Sequence, residues 1–327
     1  MPGQAGHDLC SVVGHDDVMK KKYNRVLSIA GSDSGGGAGI QADIKAISAN
    51  GCYAASAITA VTVQNTLGVQ AVHPVPLDIL DGQIEAVLSD IGADAVKIGM
   101  LHSAEVVMIV AEKIKKYAVK NVVLDPVMVS TSGHRLIEES AVEVIKKELL
   151  PLARVVTPNV PEAEILIGRE ILGECDFEAV ARELADTYGV SVLLKAGHLA
   201  GDVLTDYFYN AEAGTLTLLP SRRVKTKNTH GTGCTLSSAF AAALARGEDL
   251  TTAAISAKAY IEQAIIAGAD YDIGGGHGPV NHFFHVLQAT IDNRSFMNLS
   301  ASREDWKLVY IPEASHSYQY SCQRTES

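Results

Sequence analysis

Short apolar runs alternate with stretches of helical periodicity along most of this chain. The apolar runs predict buried strands at residues 26–30, 53–64, 95–98, 122–124, 155–156 and 190–194. Apolar positions at helical spacing predict helices beginning near residue 38, at 78–90, 104–117, 139–149, 177–188 and 251–266, and after Cys234. Segments 204–209 and 215–219 predict a hairpin or edge pair. This alternation favours an α/β fold with a mostly parallel central sheet and helices on both faces.

Composition narrows the class of protein and its partners. Of 327 residues, 47% are hydrophobic and 20% are charged, with a formal net charge of -11. An acidic chain argues against a nucleic-acid surface, and no apolar run reaches the roughly 18 residues that a membrane span needs. We therefore expect neither nucleic acid nor a membrane as partner. The five cysteines form no CxxC pair, which argues against a disulfide framework or zinc site and favours a reducing cytoplasm.

The patterning also divides the chain into three segments. Residues 1–24 are polar and aperiodic and are predicted to be a disordered leader. Residues 25–288 carry the alternating pattern and are predicted to form one domain. Residues 289–327 lose the periodicity and are predicted to be a poorly ordered extension.

A first glycine-rich loop, residues 31–39, follows the first predicted strand. Its spacing is not that of a dinucleotide fingerprint, because Ile40 stands where the third glycine would fall. It is not a P-loop either, because no Gly-Lys-Ser/Thr follows Gly36. Either it binds a ligand in another way or its glycines serve a tight chain reversal.

A second glycine-rich stretch, Asn228 to Cys234, precedes a segment with the apolar spacing of an amphipathic helix. Glycines at a helix N-terminus leave amide N–H groups free for an anion such as phosphate. The same field favours a thiolate at Cys234, for which a lowered pKa is predicted. The alternative is that Cys234 is a small buried apolar residue.

Polar residues follow several other predicted strands, where ligands of open parallel sheets bind. Asp125, Asn159 and Glu162 carry the oxygen ligands that Mg²⁺ takes, and Lys195 offers a charge for phosphate. Taken singly, Asp125 suits a turn, Asn159 a helix cap and Lys195 a solvated strand end. Their occurrence at successive strand ends favours a phosphate site.

A further pair suits a flat nitrogen heterocycle. Gln64 offers an amide for ring nitrogens and Met100 a thioether for the ring face, although both also serve as packing residues elsewhere. Asp43, in the first predicted helix, is either a surface carboxylate or a ligand to the same ring.

Eight ordered motifs between residues 25 and 284 resemble hydroxymethylpyrimidine/phosphomethylpyrimidine kinase of thiamine biosynthesis. They are Ala30-Gly31-Ser32-Asp33, Gly36-Gly37-Ala38-Gly39-Ile40-Gln41-Ala42-Asp43, Gln64-Asn65-Thr66, Lys97-Ile98-Gly99-Met100-Leu101, Asp125-Pro126-Val127-Met128, Thr157-Pro158-Asn159-x-x-Glu162, Asn228-Thr229-His230-Gly231-Thr232-Gly233-Cys234 and Gly276-His277-Gly278-Pro279. The resemblance implies a ribokinase-like fold for residues 25–288, ATP and Mg²⁺ as cosubstrates, and a homodimer.

The resemblance also implies a role for each site residue. It places the aminopyrimidine against Gln64, Asp43, Gly31, Met100 and Val127. It implies that Asp125, Asn159 and Glu162 organise the magnesium ion and the phosphates. It implies that Lys195 neutralises charge on the transferring phosphoryl group. The anion hole is implied at Gly231, Thr232 and Gly233, and the nucleotide border at Thr226, Asn228 and Lys258. Cys234 replaces the aspartate of the wider superfamily, as in this branch and in some related pyridoxal kinases.

The expected reaction is transfer of the ATP γ-phosphoryl group to a hydroxymethyl oxygen, with Cys234 accepting the proton, and then to the product phosphate. A pyridoxal kinase on the same scaffold is the nearest alternative. A non-catalytic pyrimidine-binding regulator and a nucleotide-dependent oxidoreductase are two others.

Overall fold

The computed structural model describes residues 22–128, 137–197, 201–286, 306–311 and 319–324. The main sheet has nine strands: β1 (Arg25–Ser32), β2 (Tyr53–Asn65), β3 (Gly68–Pro74), β4 (Ala95–Ile98), β5 (Val122–Leu124), β6 (Val155–Val156), β7 (Ser191–Leu194), β8 (Val203–Asn210) and β9 (Thr215–Arg222). They lie in the order β3-β2-β1-β4-β5-β6-β7-β8-β9. The six strands from β2 to β7 in this order are parallel, and β3, β8 and β9 add antiparallel pairs at the two edges.

Eight α-helices connect these strands within the described ranges: α1 (Gly39–Ala49), α2 (Leu77–Ala86), α3 (Ala104–Lys116), α4 (Glu139–Val144), α5 (Val160–Ile167), α6 (Phe177–Tyr188), α7 (Thr232–Ala245) and α8 (Leu250–Gly268). A π-helical turn prolongs α2 at Val87–Ile91 and α4 at Ile145–Leu149. The mostly parallel sheet with helices on both faces confirms the predicted fold class.

Successive strand residues point to opposite faces of the sheet, and each face has its own core. Leu27 of β1 belongs to the core beneath α2, α3, α4 and α6, whereas its neighbour Val26 belongs to the core beneath α1, α7 and α8. Both side chains are fully buried. Continuous apolar runs therefore mark strands that are covered on both sides, as expected of a parallel sheet.

Three features differ from the sequence-based predictions. Strand β3 was not predicted, since it is a largely exposed edge strand, and the short helix α5 was anticipated only through the alternative that Asn159 caps a helix. Helix α7 was predicted to be amphipathic, and this is wrong: every residue from Thr235 to Ala245 is buried. The helix lies between the sheet, α1 and α8. Its alanines allow this close packing, and its few polar residues are hydrogen-bonded internally.

The terminal segments are only partly described. Residues 1–21 of the predicted leader lie outside the described residues, as do the parts of the extension other than β10 (Trp306–Ile311) and β11 (Gln319–Arg324). These two strands form a separate antiparallel pair. No helix within the described ranges is both long and apolar enough to span a bilayer.

Candidate active site

The carboxyl ends of the parallel strands open into a crevice of about 760 Å³. Strands β1, β4, β5, β6 and β7 end there, so that residues one to three positions beyond each strand line its wall. Fourteen of the sixteen predicted site residues line the crevice: Gly31, Gln64, Met100, Asp125, Val127, Asn159, Glu162, Lys195, Thr226, Gly231, Thr232, Gly233, Cys234 and Lys258. The structure therefore brings together residues from strand ends distant in sequence.

Two predicted site residues do not line the crevice. Asp43 is fully buried beneath it and binds Lys97, Ser28 and Ser238. Asn228 is also buried, and its amide nitrogen donates to the backbone carbonyls of Gly268 and Tyr271 at 2.8 and 2.6 Å. Both residues thus support the walls of the site in this structure. The expectation that they contact the substrate or the nucleotide finds no counterpart in the geometry.

The first glycine-rich loop is folded around a carboxylate of its own. Asp33 accepts hydrogen bonds from the backbone N–H groups of Gly35, Gly37 and Ala38, at 2.8 to 3.1 Å. His230 lies 2.9 Å from the same carboxylate. Burial alone would raise the pKa of Asp33, but these hydrogen bonds hold it below its ordinary value. The amides of this loop are therefore already occupied, as the chain-reversal alternative requires.

The second glycine-rich stretch forms the N-terminus of α7. The first bond of the helical ladder runs from the Thr235 N–H to the Gly231 carbonyl, so the amides of Gly233 and Cys234 precede it. Neither a capping side chain nor an acidic residue occupies this first turn. These amides and the positive end of the helix macrodipole are thus available to an anion in the crevice.

Cys234 lies at this helix start, half-buried. The predicted lowering of its thiol pKa is wrong, because burial raises the pKa of Cys234 to about 11. Loss of hydration outweighs the favourable effects of the Lys97 charge and of a hydrogen bond from the Gly39 backbone N–H. The resting group is a neutral thiol.

A buried cluster of charges faces this helix start. Lys195 Nζ lies 2.9 Å from Asp125 Oδ1, and Thr157 and Ser237 donate to the same carboxylate. Burial opposes ionisation of Asp125, yet Lys195 and Lys97 hold its pKa below the ordinary value. Burial likewise opposes the charged form of Lys195, but Asp125 leaves its pKa raised. Both groups of this pair are therefore charged.

Glu162 is the third charged group of this cluster and interacts with both Lys195 and Asp125. Burial, with Asp125 contributing, raises the pKa of Glu162 to about 7. Its carboxylate and the Asn159 side chain form a capping box at the start of α5, with both hydrogen bonds at 2.9 Å. The cap alternative for Asn159 is thus realised, and the cap also fixes Glu162 at the crevice wall.

The donor set here fits a magnesium ion that keeps part of its water shell. No group of three or more His, Cys, Asp or Glu side chains within the described ranges forms a closed metal site. Asp125 and Glu162 instead offer two carboxylates beside an open crevice. Mg²⁺ is commonly held by one or two carboxylates together with water and substrate phosphates.

A second part of the crevice suits a flat ring. Gly31 leaves room for Met100, because a Cβ at this glycine would lie 2.8 Å from the Met100 Cε atom. The Gln64 side chain accepts a hydrogen bond from Thr62, and its nitrogen lies 3.3 Å from His230 Nε2. A thioether and an oriented carboxamide thus both line the crevice.

Sequence reasoning missed the wall that the β8–β9 hairpin contributes. Leu204, Asp206, Arg222 and Val224 line the crevice beside α8. Asp206 binds the predicted residue Lys258 at 2.7 Å, so this lysine is already paired. The alternation of the hairpin was visible in the sequence, but nothing in it indicated that this edge of the sheet folds over the site.

Comparisons with known proteins agree with this geometry. Residues 33–281 match the family model for phosphomethylpyrimidine kinase. The chain is 51% identical over 258 residues to a hydroxymethylpyrimidine/phosphomethylpyrimidine kinase of Rhizobium meliloti. The aligned region covers 79% of this chain and 96% of that relative.

Two solved structures share the fold. A phosphomethylpyrimidine kinase from Clostridium difficile 630 matches with a TM-score of 0.66 and 44% identity, covering 74% of this chain and 99% of that one. A Bacillus subtilis pyridoxal kinase, solved as an ADP complex, matches with a TM-score of 0.74 and 34% identity, covering 81% and 100%.

A ribokinase-like sheet with an open helix N-terminus and a lysine–carboxylate cluster in one crevice defines a small-molecule phosphotransferase. Within that class, the chain belongs to the hydroxymethylpyrimidine/phosphomethylpyrimidine kinase family.

Proposed function

We propose that this protein transfers the γ-phosphoryl group of ATP to the 5-hydroxymethyl oxygen of 4-amino-5-hydroxymethyl-2-methylpyrimidine. It then phosphorylates the monophosphate to the diphosphate, for thiamine biosynthesis. One observation carries the proposal: the open start of α7 lies against the charged cluster. A Cβ at Gly233 would lie 3.2 Å from Lys195 Nζ and 3.5 Å from Asp125 Oδ2.

Phosphoryl transfer depends mainly on positioning and on neutralising charge, and the crevice supplies both. Gly231, Thr232 and Gly233 form the proposed anion hole, in which the free Gly233 amide stabilises negative charge on the transferring group, while the Thr232 N–H donates to the Thr229 carbonyl at 3.4 Å. Lys195 neutralises more of that charge. Asp125 and Glu162 would hold Mg²⁺, which supplies further positive charge to the ATP phosphates when bound. Asn159, Thr226 and Lys258 border the nucleotide, with Asn228 supporting this wall from behind.

Cys234 is the proposed proton acceptor for the alcohol. Because the resting thiol is protonated, it must first release its own proton to solvent. Positive potential around the sulfur favours the resulting thiolate, which is then a strong base for the hydroxyl proton. The second acceptor is a phosphate, whose second pKa is about 6, so it is already largely ionised. A base at Cys234 should therefore matter for the first phosphorylation and much less for the second.

The ring of the substrate is proposed to lie between Met100 and Val127, with Gln64 binding its nitrogens. We also propose a cytoplasmic homodimer, to be checked by light scattering and by fractionation of cells. Exposed apolar side chains on the edge of the sheet, Val61 and Val63 on β2 and Val72 on β3, are consistent with a subunit interface.

Parallel kinase assays with two alcohols test which substrate the protein prefers. The full chain is incubated with ATP and Mg²⁺ and either the aminopyrimidine alcohol or pyridoxal, and the products are identified by mass. We expect monophosphate and then diphosphate of the aminopyrimidine, with the higher kcat/KM for that substrate. A higher kcat/KM for pyridoxal would instead support a pyridoxal kinase, the activity named for the Bacillus subtilis protein that shares this fold. Thermal stabilisation by the pyrimidine without ATP turnover would indicate a non-catalytic regulator.

A further inference from the structure

A lysine lies in the middle of the apolar sheet, directly below the active site. Lys97 occupies β4 between Val96 and Ile98, and none of its side chain is exposed. Its ammonium group lies 2.8 and 2.9 Å from the two carboxylate oxygens of Asp43, which is also fully buried. Burying two charges is costly, and an apolar pair of similar volume often serves stability equally well. The pair therefore invites a functional explanation.

Asp43 is held by donors from three different elements. Besides Lys97, it accepts hydrogen bonds from Ser28 of β1 at 2.6 Å and from Ser238 of α7 at 2.8 Å. Four hydrogen bonds thus fill the carboxylate and fix it between α1, the sheet and α7. The carboxylate in turn fixes the position of the Lys97 ammonium group.

The Lys97 ammonium group lies just below the floor of the crevice. Ser238 follows Cys234 by one helical turn, so both side chains lie on the same side of α7. A Cβ at Gly99 would lie 2.8 Å from Lys97 Nζ and 3.0 Å from Ala30 Cβ. Ala30 itself lines the crevice. The lysine therefore extends toward the carboxyl end of the sheet and ends just below the crevice floor, in space that Gly99 leaves open.

Four charged groups on different elements influence Cys234. They are Lys97 on β4, Asp43 on α1, Asp125 after β5 and Lys195 after β7. After burial itself, the charge of Lys97 has the largest effect on the pKa of Cys234, and it lowers that pKa. Asp43 and Asp125 act in the opposite direction, each by less. The sulfur thus receives net positive influence from the buried pair.

We propose that Lys97 is a positioning residue that supplies positive potential to Cys234 and to the anion hole from below the crevice floor, with Asp43 holding its charge in place. Lys97 does not touch the substrate. The proposal deepens the proposed function, because it assigns the potential to the site of the transferring phosphoryl group. Its test needs neither ATP nor substrate, so the two proposals fail independently.

The test compares alkylation of Cys234 by anionic iodoacetate and by neutral iodoacetamide, measured on the peptide by mass spectrometry. Both reagents react with the thiolate, so the ratio of their rates cancels the thiolate fraction and reports the local potential. The exposed Cys175 is an internal reference in the same chain. The test variant is Lys97→Met/Asp43→Asn. The control is Lys113→Met/Asp81→Asn, which removes another ion pair of a buried lysine.

We expect the ratio at Cys234 to fall by roughly threefold or more in the test variant, a change equivalent to about half a pKa unit of charge interaction. The control variant and Cys175 should show no change. An unchanged ratio in a test variant that retains its cooperative thermal unfolding would overturn the proposal and leave the pair a purely structural one.

A second variant keeps the test decisive if the double variant does not fold. Asp43→Asn retains Lys97, whose charged form Asp125 also favours. Removing the carboxylate should raise the ratio at Cys234 above that of the unmodified protein. A fall or no change in this variant would contradict the proposal.

Discussion

Two glycine-rich loops meet at the crevice, and only one of them offers free amides to it. In the loop that follows β1, the N–H groups of Gly35, Gly37 and Ala38 all donate to Asp33. At the start of α7 no side chain takes this part, and the first turn is open. The difference shows that a carboxylate within the loop, rather than the number of glycines, decides whether its amides are available to a phosphate.

The loop after β1, whose amides are occupied (the closed loop, residues 31–39), also supports the stretch with free amides at the start of α7 (the open loop, residues 228–234). Gly231 adopts a φ of +79°, and a Cβ there would overlap the carbonyl oxygen of Gly37 at 1.8 Å. His230, the residue before it, lies within hydrogen-bonding distance of Asp33. The carboxylate that occupies the first loop thus also holds the second loop in place.

Replacing Gly231 should have the largest effect on this arrangement. A Gly231→Ala variant combines a left-handed backbone with a backbone clash, so we expect a loss of about 3 kcal/mol or more in stability. Kinase activity should fall by at least about a hundredfold, because the anion hole is displaced. Gly247→Ala is the control, since Gly247 has a φ of +89° but no atom near the added Cβ. Equal losses of stability in the two variants would contradict the supporting role of the closed loop, because the contact between Gly231 and Gly37 would then not matter.

Removing the internal carboxylate tests the closed loop. An Asp33→Asn variant places an amide among three N–H donors, at an expected cost of about 2 kcal/mol in urea unfolding at neutral pH. The pKa of Asp33 is lowered by folding, so its stabilisation is present above its unfolded value of 3.8 and is lost as pH falls through the folded value. The difference in free energy of unfolding between the Asp33→Asn variant and the unmodified protein should therefore become smaller in acid.

The exposed Asp270 gives a control for that experiment. Asp270→Asn should leave stability unchanged at both pH values. A gap between Asp33→Asn and the unmodified protein that persists undiminished well below pH 3.8 would show that the ionised carboxylate is not what closes the loop.

The smallest expected effect concerns Glu162, on the side of the open loop. Its pKa is raised from 4.5 to about 7, so its contribution to stability is present below 4.5 and lost as pH rises through about 7. A cation that binds the carboxylate reverses this trend. The affinity for Mg²⁺, followed by thermal shift, should rise by up to about tenfold between about pH 6 and pH 8. Glu162→Gln should abolish the rise and Glu170→Gln should not.

Much of the scaffold could be predicted because periodicity is a local signal. The strand ends that carry Met100, Asp125 and Lys195 were located from apolar runs alone, and the rule that ligands bind there indicated the crevice. Strand β3 was missed because an edge strand with most of its residues exposed lacks such a run. The roles of individual residues came from the resemblance to a kinase family, and for these the structure shows position only.

The remaining errors concern interactions between distant segments. Asp43 meets Lys97 across 54 residues of sequence, and no local pattern indicates that the two charges are buried together. The pKa of Cys234 depends on how much water the folded chain removes, which a helix N-terminus in the sequence does not reveal. Likewise, Ser238 reads as a polar surface position of α7 until its partner on α1 is known.

The comparison of the two phosphorylation steps in a Cys234→Ala variant tests the central claim most directly. Single-turnover rates are measured with the aminopyrimidine alcohol and with its monophosphate, and Cys175→Ala serves as a control at an exposed thiol. We predict that phosphorylation of the alcohol slows by about a hundredfold or more, the range expected for loss of a general base. Phosphorylation of the ionised monophosphate should slow by less than about tenfold. Equal losses in both steps would contradict the role of Cys234 as the base beside the open loop.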